Sequence, residues 1–121
     1  MVSKKRKLQN EASKLWKNAC ILKYGGKCEV CGDTFMVTPH HYYYRSGYGH
    51  LKYDLENGII LCRKCHFALH FGKDPKKIED RIREVRGRKW ENRLFKKSKE
   101  KHYSYQTIDY YNKIIKQLQK L

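Results

Sequence analysis

At 121 residues the chain has room for one compact domain with helical extensions and little more. Only 40% of the residues are hydrophobic and 33% are charged, a thin core of the kind that needs a metal or disulfide staple. The formal net charge of +16 speaks against any role without a polyanionic partner; nucleic acid comes first, an anionic membrane surface a distant second.

In chain order, Leu8, Ala12, Leu15, Ala19 and Leu22 recur at helical spacing and predict an amphipathic helix over 5–23, ended by Gly25-Gly26. Residues 27–61 change character: β-rich stretches at Phe35–Val37, Tyr42–Tyr44 and Ile59–Leu61 alternate with turn residues. Cys62–Phe71 reads as a short helix with Phe67, Ala68 and Phe71 available for packing. Asp74 and Pro75 then supply an N-cap and a first helical residue. Ile78, Ile82 and Val85 line one face of that helix, and Trp90 and Leu94 extend the packing beyond Gly87. The polar run Lys96–Lys101 reads as a linker, and Ile108, Tyr111, Ile115 and Leu118 form a stripe on a terminal helix. That stripe either dimerises or folds back. The expected class is α+β, divided as a basic N-terminal helix (1–26), a small metal-stapled unit (27–72) and a basic helical extension (73–121).

Charge follows the same division. Residues 1–23 hold seven Lys/Arg against one acid and 73–101 hold thirteen against six, while 24–72 hold five against four. A nearly neutral centre between basic flanks points to phosphate binding, with Lys4, Lys5, Arg6, Lys7, Arg86, Arg88 and Lys89 as the expected contacts. For any one lysine, a solvated helix face is the plainer reading. No stretch resembles a signal peptide or a membrane span, so a reducing, cytoplasmic setting is expected.

In that setting five cysteines are better read as metal ligands than as disulfides. Cys28-x-x-Cys31 and Cys62-x-x-Cys65 are two knuckles, each presenting a pair of thiolates on a tight turn. Two such turns complete a tetrahedron, and four sulfurs select Zn²⁺ in a closed, structural site. A redox role fits less well, because the motif occurs twice and no βαβ pattern surrounds it. Cys20 is left as a spare thiol.

His40-His41, Asn57, His66 and His70 stand between and after the knuckles. Taken singly, each histidine is an ordinary surface or core side chain. Jointly they form a pattern. His66 and His70, four apart on a predicted helix, project from one face as two ligands of a single ion must. His40 and His41 alternate across a strand, so near its end one joins the ion while the other faces a bound water.

The combination Cys28-x-x-Cys31, His40-His41, Asn57-Gly58-Ile59-Ile60-Leu61-Cys62 and Cys65-His66-x-x-x-His70 resembles the HNH (ββα-metal) endonuclease family. The resemblance implies a small zinc-stapled ββα-metal core flanked by basic helices. It also implies that His40 and His66 hold a catalytic divalent ion, with His70 a further ligand in some branches. By the same resemblance His41 is the general base and Asn57 orients it. The chemistry is consistent: a neutral imidazole, with an ordinary pKa near ~6.5, accepts a proton from water at neutral pH. A divalent ion, Mg²⁺ or Mn²⁺ or another transition metal, relieves charge on the phosphate and the departing oxygen. Arg45 either braces the scissile phosphate or is a plain surface arginine. The tyrosines at 42–44 read as strand packing before base stacking.

The wider context, His40 to Arg45, Tyr53 to Gly58, Lys14-Leu15-Trp16 and Arg86 to Trp90, is similar to the phage Rap/NinG recombination nucleases. That likeness implies duplex or branched DNA such as Holliday junctions, in a phage-infected or prophage-bearing bacterium; paired cuts in a four-way junction need two active sites, which a homodimer would supply if the terminal stripe dimerises. The alternatives are a phage homing or packaging nicking enzyme, a non-catalytic zinc-stabilised DNA-binding module, and a toxin-like RNase.

Overall fold

The computed structural model describes residues 2–44, 47–102, 105 and 107–121. Local capping sets most helix ends. Helix α1 spans Lys4–Tyr24: the Ser3 hydroxyl accepts from the Arg6 amide, and Gly25, at φ 91°, turns its N–H back to the Ile21 carbonyl. Helix α2 (Arg63–Phe71) is capped by the Cys62 sulfur, which accepts from the Cys65 amide. Helix α3 (Pro75–Arg86) starts as expected, with Asp74 accepting from Lys77 N–H and proline in the first turn. Gly87 separates it from α4 (Arg88–Lys99), and α5 covers Ile108–Gln119 with Thr107 as its cap.

Strand β1 (Thr38–His41) pairs antiparallel with β2 (Gly58–Leu61), placing His40 opposite Ile59 and His41 opposite Gly58. Residues alternate across a strand and paired residues share a face. The sheet therefore has two different sides. Ile60 packs with Ala12, Trp16, Ala19 and Cys20 of α1 and with Tyr111, Ile115 and Leu118 of α5. Ile59 and Leu61 pack on the other side with Leu51, Ile82 of α3, Trp90 and Leu94 of α4, and Cys28, Cys62 and Cys65. The architecture is the expected α+β.

Tryptophans from the two cores meet on one segment. Trp16 Nε1 donates to the Asp54 carbonyl (2.9 Å) and Trp90 Nε1 to the Glu56 carbonyl (2.7 Å). Lys97 bridges the Asp54 and Glu56 carboxylates, and Arg93 holds Glu56 as well. Residues 54–57 are thus gripped from both sides just ahead of β2.

The structure departs from expectation in several places. The first strand is Thr38–His41, lying between the stretches Phe35–Val37 and Tyr42–Tyr44, because its register is set by β2. Phe67 and Phe71 do not pack; they are 62% and 75% exposed. Val85 is also exposed, so Ile82 carries the buried face of α3. The run from Lys96 is not a linker: α4 continues to Lys99, with Ser98 buried and Lys97 tied to residues 54 and 56. The C-terminal stripe folds back on α1, where Gln9 Nε2 also donates to Tyr111 Oη, and Ile108 at its start stays exposed. No helix among the described residues is long and apolar enough to cross a membrane.

Candidate metal centre and active site

The two knuckles converge. Cys28 opens a tight turn closed by Gly32 N–H to the Cys28 carbonyl and Cys28 N–H to Asp33, and the second pair sits where β2 passes into α2. All four sulfurs lie within 4.8 Å of one another, with Cys31 and Cys62 Sγ 3.6 Å apart. A tetrahedral zinc with Zn–S bonds of ~2.3 Å requires sulfur separations of ~3.8 Å, so the donor set fits that ion. The electrostatics of the thiols fit a shared cation. Burial and the neighbouring thiols push Cys65 up, whereas backbone hydrogen bonds outweigh burial at Cys28 and lower it. Sulfurs this close resist becoming four thiolates unless positive charge sits among them.

The histidines fall on both sides of β1. His40 stacks on His66 of α2, ring centroids 3.6 Å apart and planes 13° from parallel, and His66 meets His70 at 4.6 Å, nearly perpendicular. Thr38 Oγ1 lies 2.9 Å from His40 Nε2. Burial, helped by His66, His70, His41 and Lys17, pulls His40 down to about 4, and burial lowers His66 as well. Both rings are therefore neutral near pH 7, the state in which imidazole binds a divalent ion. Among the described residues, only the cysteines bring three or more ligand atoms within 4.8 Å; the histidine rings are stacked instead of aimed at one point.

His41 turns the opposite way. Its ring lies on Trp16, centroids 4.4 Å apart and 6° from parallel, and its Nε2 is 2.9 Å from the Lys52 carbonyl. A carbonyl only accepts, so Nε2 carries the proton and the neutral ring has its lone pair on Nδ1. Asn57, fully buried, holds the chain just past His41. Its Oδ1 accepts from Tyr43 N–H (2.7 Å), its Nδ2 donates to the Tyr43 and Leu51 carbonyls, and its own carbonyl accepts from Tyr42 N–H. One side chain thereby ends β1 and fixes the loop that follows.

Two clefts open beside the pair. One, of about 190 Å³, is lined by His40, His41, Tyr42, Tyr44 and Glu79. The other, of about 380 Å³, is lined by Ser13, Lys17, Thr38, Lys52 and the same two histidines. Lys17 and Lys52 make the second cleft basic. Neither stood out in the sequence.

The segment around these side chains, residues 28–72, matches the family model for HNH endonuclease. Over that segment the chain is similar to the HNH endonuclease family. No curated protein and no solved structure matches the chain.

The matched segment contains all four cysteines and His40, His41, Asn57, His66 and His70. Of the expected phosphate contacts outside it, Lys4, Lys5, Arg6 and Lys7 are exposed on the first turns of α1, and Arg88 and Lys89 on the first turn of α4. Arg45 lies outside the described residues. Arg86 corrects the expectation. Its side chain is only 6% exposed, paired with Glu29, hydrogen-bonded to the Gly58 carbonyl and laid over the Tyr24 ring at 3.5 Å. Glu29 in turn accepts from Ile60 N–H. Arg86 therefore locks α3 to the first knuckle and to β2, and is spent on the fold.

Sequence reasoning also missed Trp16 and the Lys52 carbonyl as supports of His41. Trp16 carried a signal in its place on the apolar face of α1, beside Ala12 and Ala19; a main-chain carbonyl carries none. The tyrosines divide: Tyr42 and Tyr43 pack toward the core, Tyr42 edge-on to Trp90, while Tyr44 is exposed. His50 is buried and hydrogen-bonded to the Lys97 carbonyl, in keeping with its place outside the histidine pattern.

Proposed function

We propose that the protein is a divalent-ion-dependent DNA endonuclease in which His41 takes the proton from the attacking water. The observation that carries this reading is the Lys52 carbonyl on His41 Nε2, which leaves the neutral ring basic at Nδ1, within the segment similar to the HNH family and one residue from the His40–His66 stack. His40 and His66, with His70 beside them, would hold the divalent ion. When bound, that ion supplies positive charge to the phosphate and to the departing 3′-oxygen.

The chain's own groups do the rest. Trp16 holds the plane of His41, and Asn57 fixes the loop behind it. Lys17 and Lys52 line the cleft where a phosphate would lie. Lys4, Lys5, Arg6 and Lys7 gather four cations at the positive end of α1, with no acid in its first turn. Such an arrangement opposes the helix dipole by about 0.3–1 kcal/mol per charge, which makes sense where a phosphate backbone will neutralise it.

Branched DNA is the finer part of the proposal. Its support is the likeness of the flanks to phage recombination nucleases, and Trp16, Arg86 and Trp90, which carry part of that likeness, build the scaffold around the site.

Supercoiled plasmid with Mg²⁺ or Mn²⁺ tests the reading. Open circles should appear with either ion and not without one, and a panel of duplex, flap, fork and four-way-junction DNA should rank branched forms first. A protein that binds plasmid but leaves it supercoiled under every divalent ion would instead be a DNA-binding module.

A further inference from the structure

Phe67 and Phe71 lie four residues apart on α2, so they share a face, and their ring centroids are 5.2 Å apart. Neither core uses them. The row of rings continues from Phe71 to His70 (6.2 Å) and from His70 to Tyr44 (5.7 Å), itself 52% exposed. At one end the row therefore runs into the His66–His40 stack. At the other it becomes basic: Arg63 and Lys64, one turn before Phe67 on the same face, are exposed, and so is Lys73 just past the helix. No acidic residue occurs in α2.

Isolated exposed aromatics are common and need no explanation. A continuous exposed row joining cations to the candidate active site is a different matter. We propose that this row is a stacking platform for unpaired bases of the nucleic-acid strand that enters the histidine site. The location of that strand rests on the nuclease reading; the stacking itself does not. The occupant follows from charge and shape. Cations along one flank complement phosphates, and flat rings accept the face of any base. Paired bases in a duplex are already stacked and cannot reach the rings. The platform thus favours DNA with a bulge, branch or single-stranded end.

Fluorescence anisotropy with two labelled oligonucleotides tests this, one a perfect duplex and one the same duplex with a three-nucleotide bulge, both without added divalent ion so that nothing is cut. The Phe67→Ala/Phe71→Ala double variant should bind the bulged DNA about tenfold more weakly than wild type, as loss of base–aromatic stacking implies. It should bind the duplex within about twofold of wild type and melt at the same temperature. The double tyrosine variant should restore bulge affinity, and the double leucine variant should not. Unchanged bulge affinity in the alanine variant, or full affinity in the leucine variant, would overturn the proposal. So would a wild-type dimer in sedimentation that the alanine variant dissociates, since the face would then bind a second copy. If wild type never cuts DNA yet the selective loss persists, the nuclease reading fails and the platform stands. If wild type cuts and the alanine variant binds bulged DNA normally, the platform alone fails.

Discussion

The cysteine cluster and the histidine row occupy the same short segment but are assembled by different means. Each cysteine pair is set by a local turn, one opening a glycine turn and one capping α2, and Glu29, bonded to Ile60 and Arg86, seats the first knuckle against β2 so that four sulfurs lie at nearly the spacing a single ion needs. The histidines depend on the rest of the chain. His41 is held by Trp16 of α1 and a carbonyl eleven residues on, and its loop by Asn57; His40 leans on α2. A closed sulfur site stores fold stability, whereas the histidine row takes its geometry from a fold already made. Damage to the first should unfold the protein, and damage to the second should leave a folded but idle one.

The largest expected effect is therefore at the cysteines. Cys62→Ser removes a sulfur ligand but keeps a hydroxyl able to cap α2, so its effect reports on the metal site. Metal binding supplies on the order of 10 kcal/mol in small zinc domains, so the cooperative melt should vanish and bound zinc should fall from one per chain to almost none. His66→Ala should keep the zinc and melt within a few degrees of wild type. If Cys62→Ser instead melts like wild type, the two sites do not differ as described.

Gly58→Ala probes how the two regions join. A Cβ there would strike Cys20 Sγ and crowd Trp16, the residue that backs His41. Overpacking of this kind costs about 1–3 kcal/mol, so a lower denaturation midpoint should appear together with slower cleavage. A variant as stable and as active as wild type would mean that α1 does not press on β2.

A smaller effect belongs to Glu56. Partial burial works against its ionisation, but hydrogen bonds from Arg93 and Lys97 outweigh that and bring its carboxyl down to about 2, from 4.5. A carboxylate with a depressed folded pKa contributes stability above its unfolded value and loses it as pH falls toward the folded one. The stability gap between wild type and Glu56→Gln should thus be about 1–2 kcal/mol near neutral pH, after allowance for the exposed cationic partners. It should shrink between about pH 5 and 2. Denaturant melts across that range measure it, and a pH-independent gap would point to packing instead of charge.

Much of this was legible in the sequence. The helices announced themselves through spacing and caps: Gly25, Asp74-Pro75 and the stripe from Tyr111 to Leu118 lie where the pattern put them. The cysteine spacing fixed a cluster because ligand pairs on tight turns are local. Strand position was less readable, since β propensity favoured the aromatic stretches on either side of Thr38–His41 and only pairing with β2 selects the register. Polarity misled at Lys96–Lys101, where lysines serve a helix that salt-bridges residues 54 and 56. Arg86 misled for a related reason. It sits in a basic run, and the carboxylate that buries it, Glu29, lies 57 residues away. Long-range partners of charged side chains leave no mark in local pattern.

The most direct test of the account is the cleavage rate of His41→Ala on supercoiled plasmid at saturating protein, measured beside its melting temperature and its affinity for uncut DNA. A general base contributes typically ~10²–10⁴-fold, so the rate should fall by about that factor while melting and affinity stay close to wild type. Cleavage near the wild-type rate in a folded, DNA-bound His41→Ala protein would contradict the account.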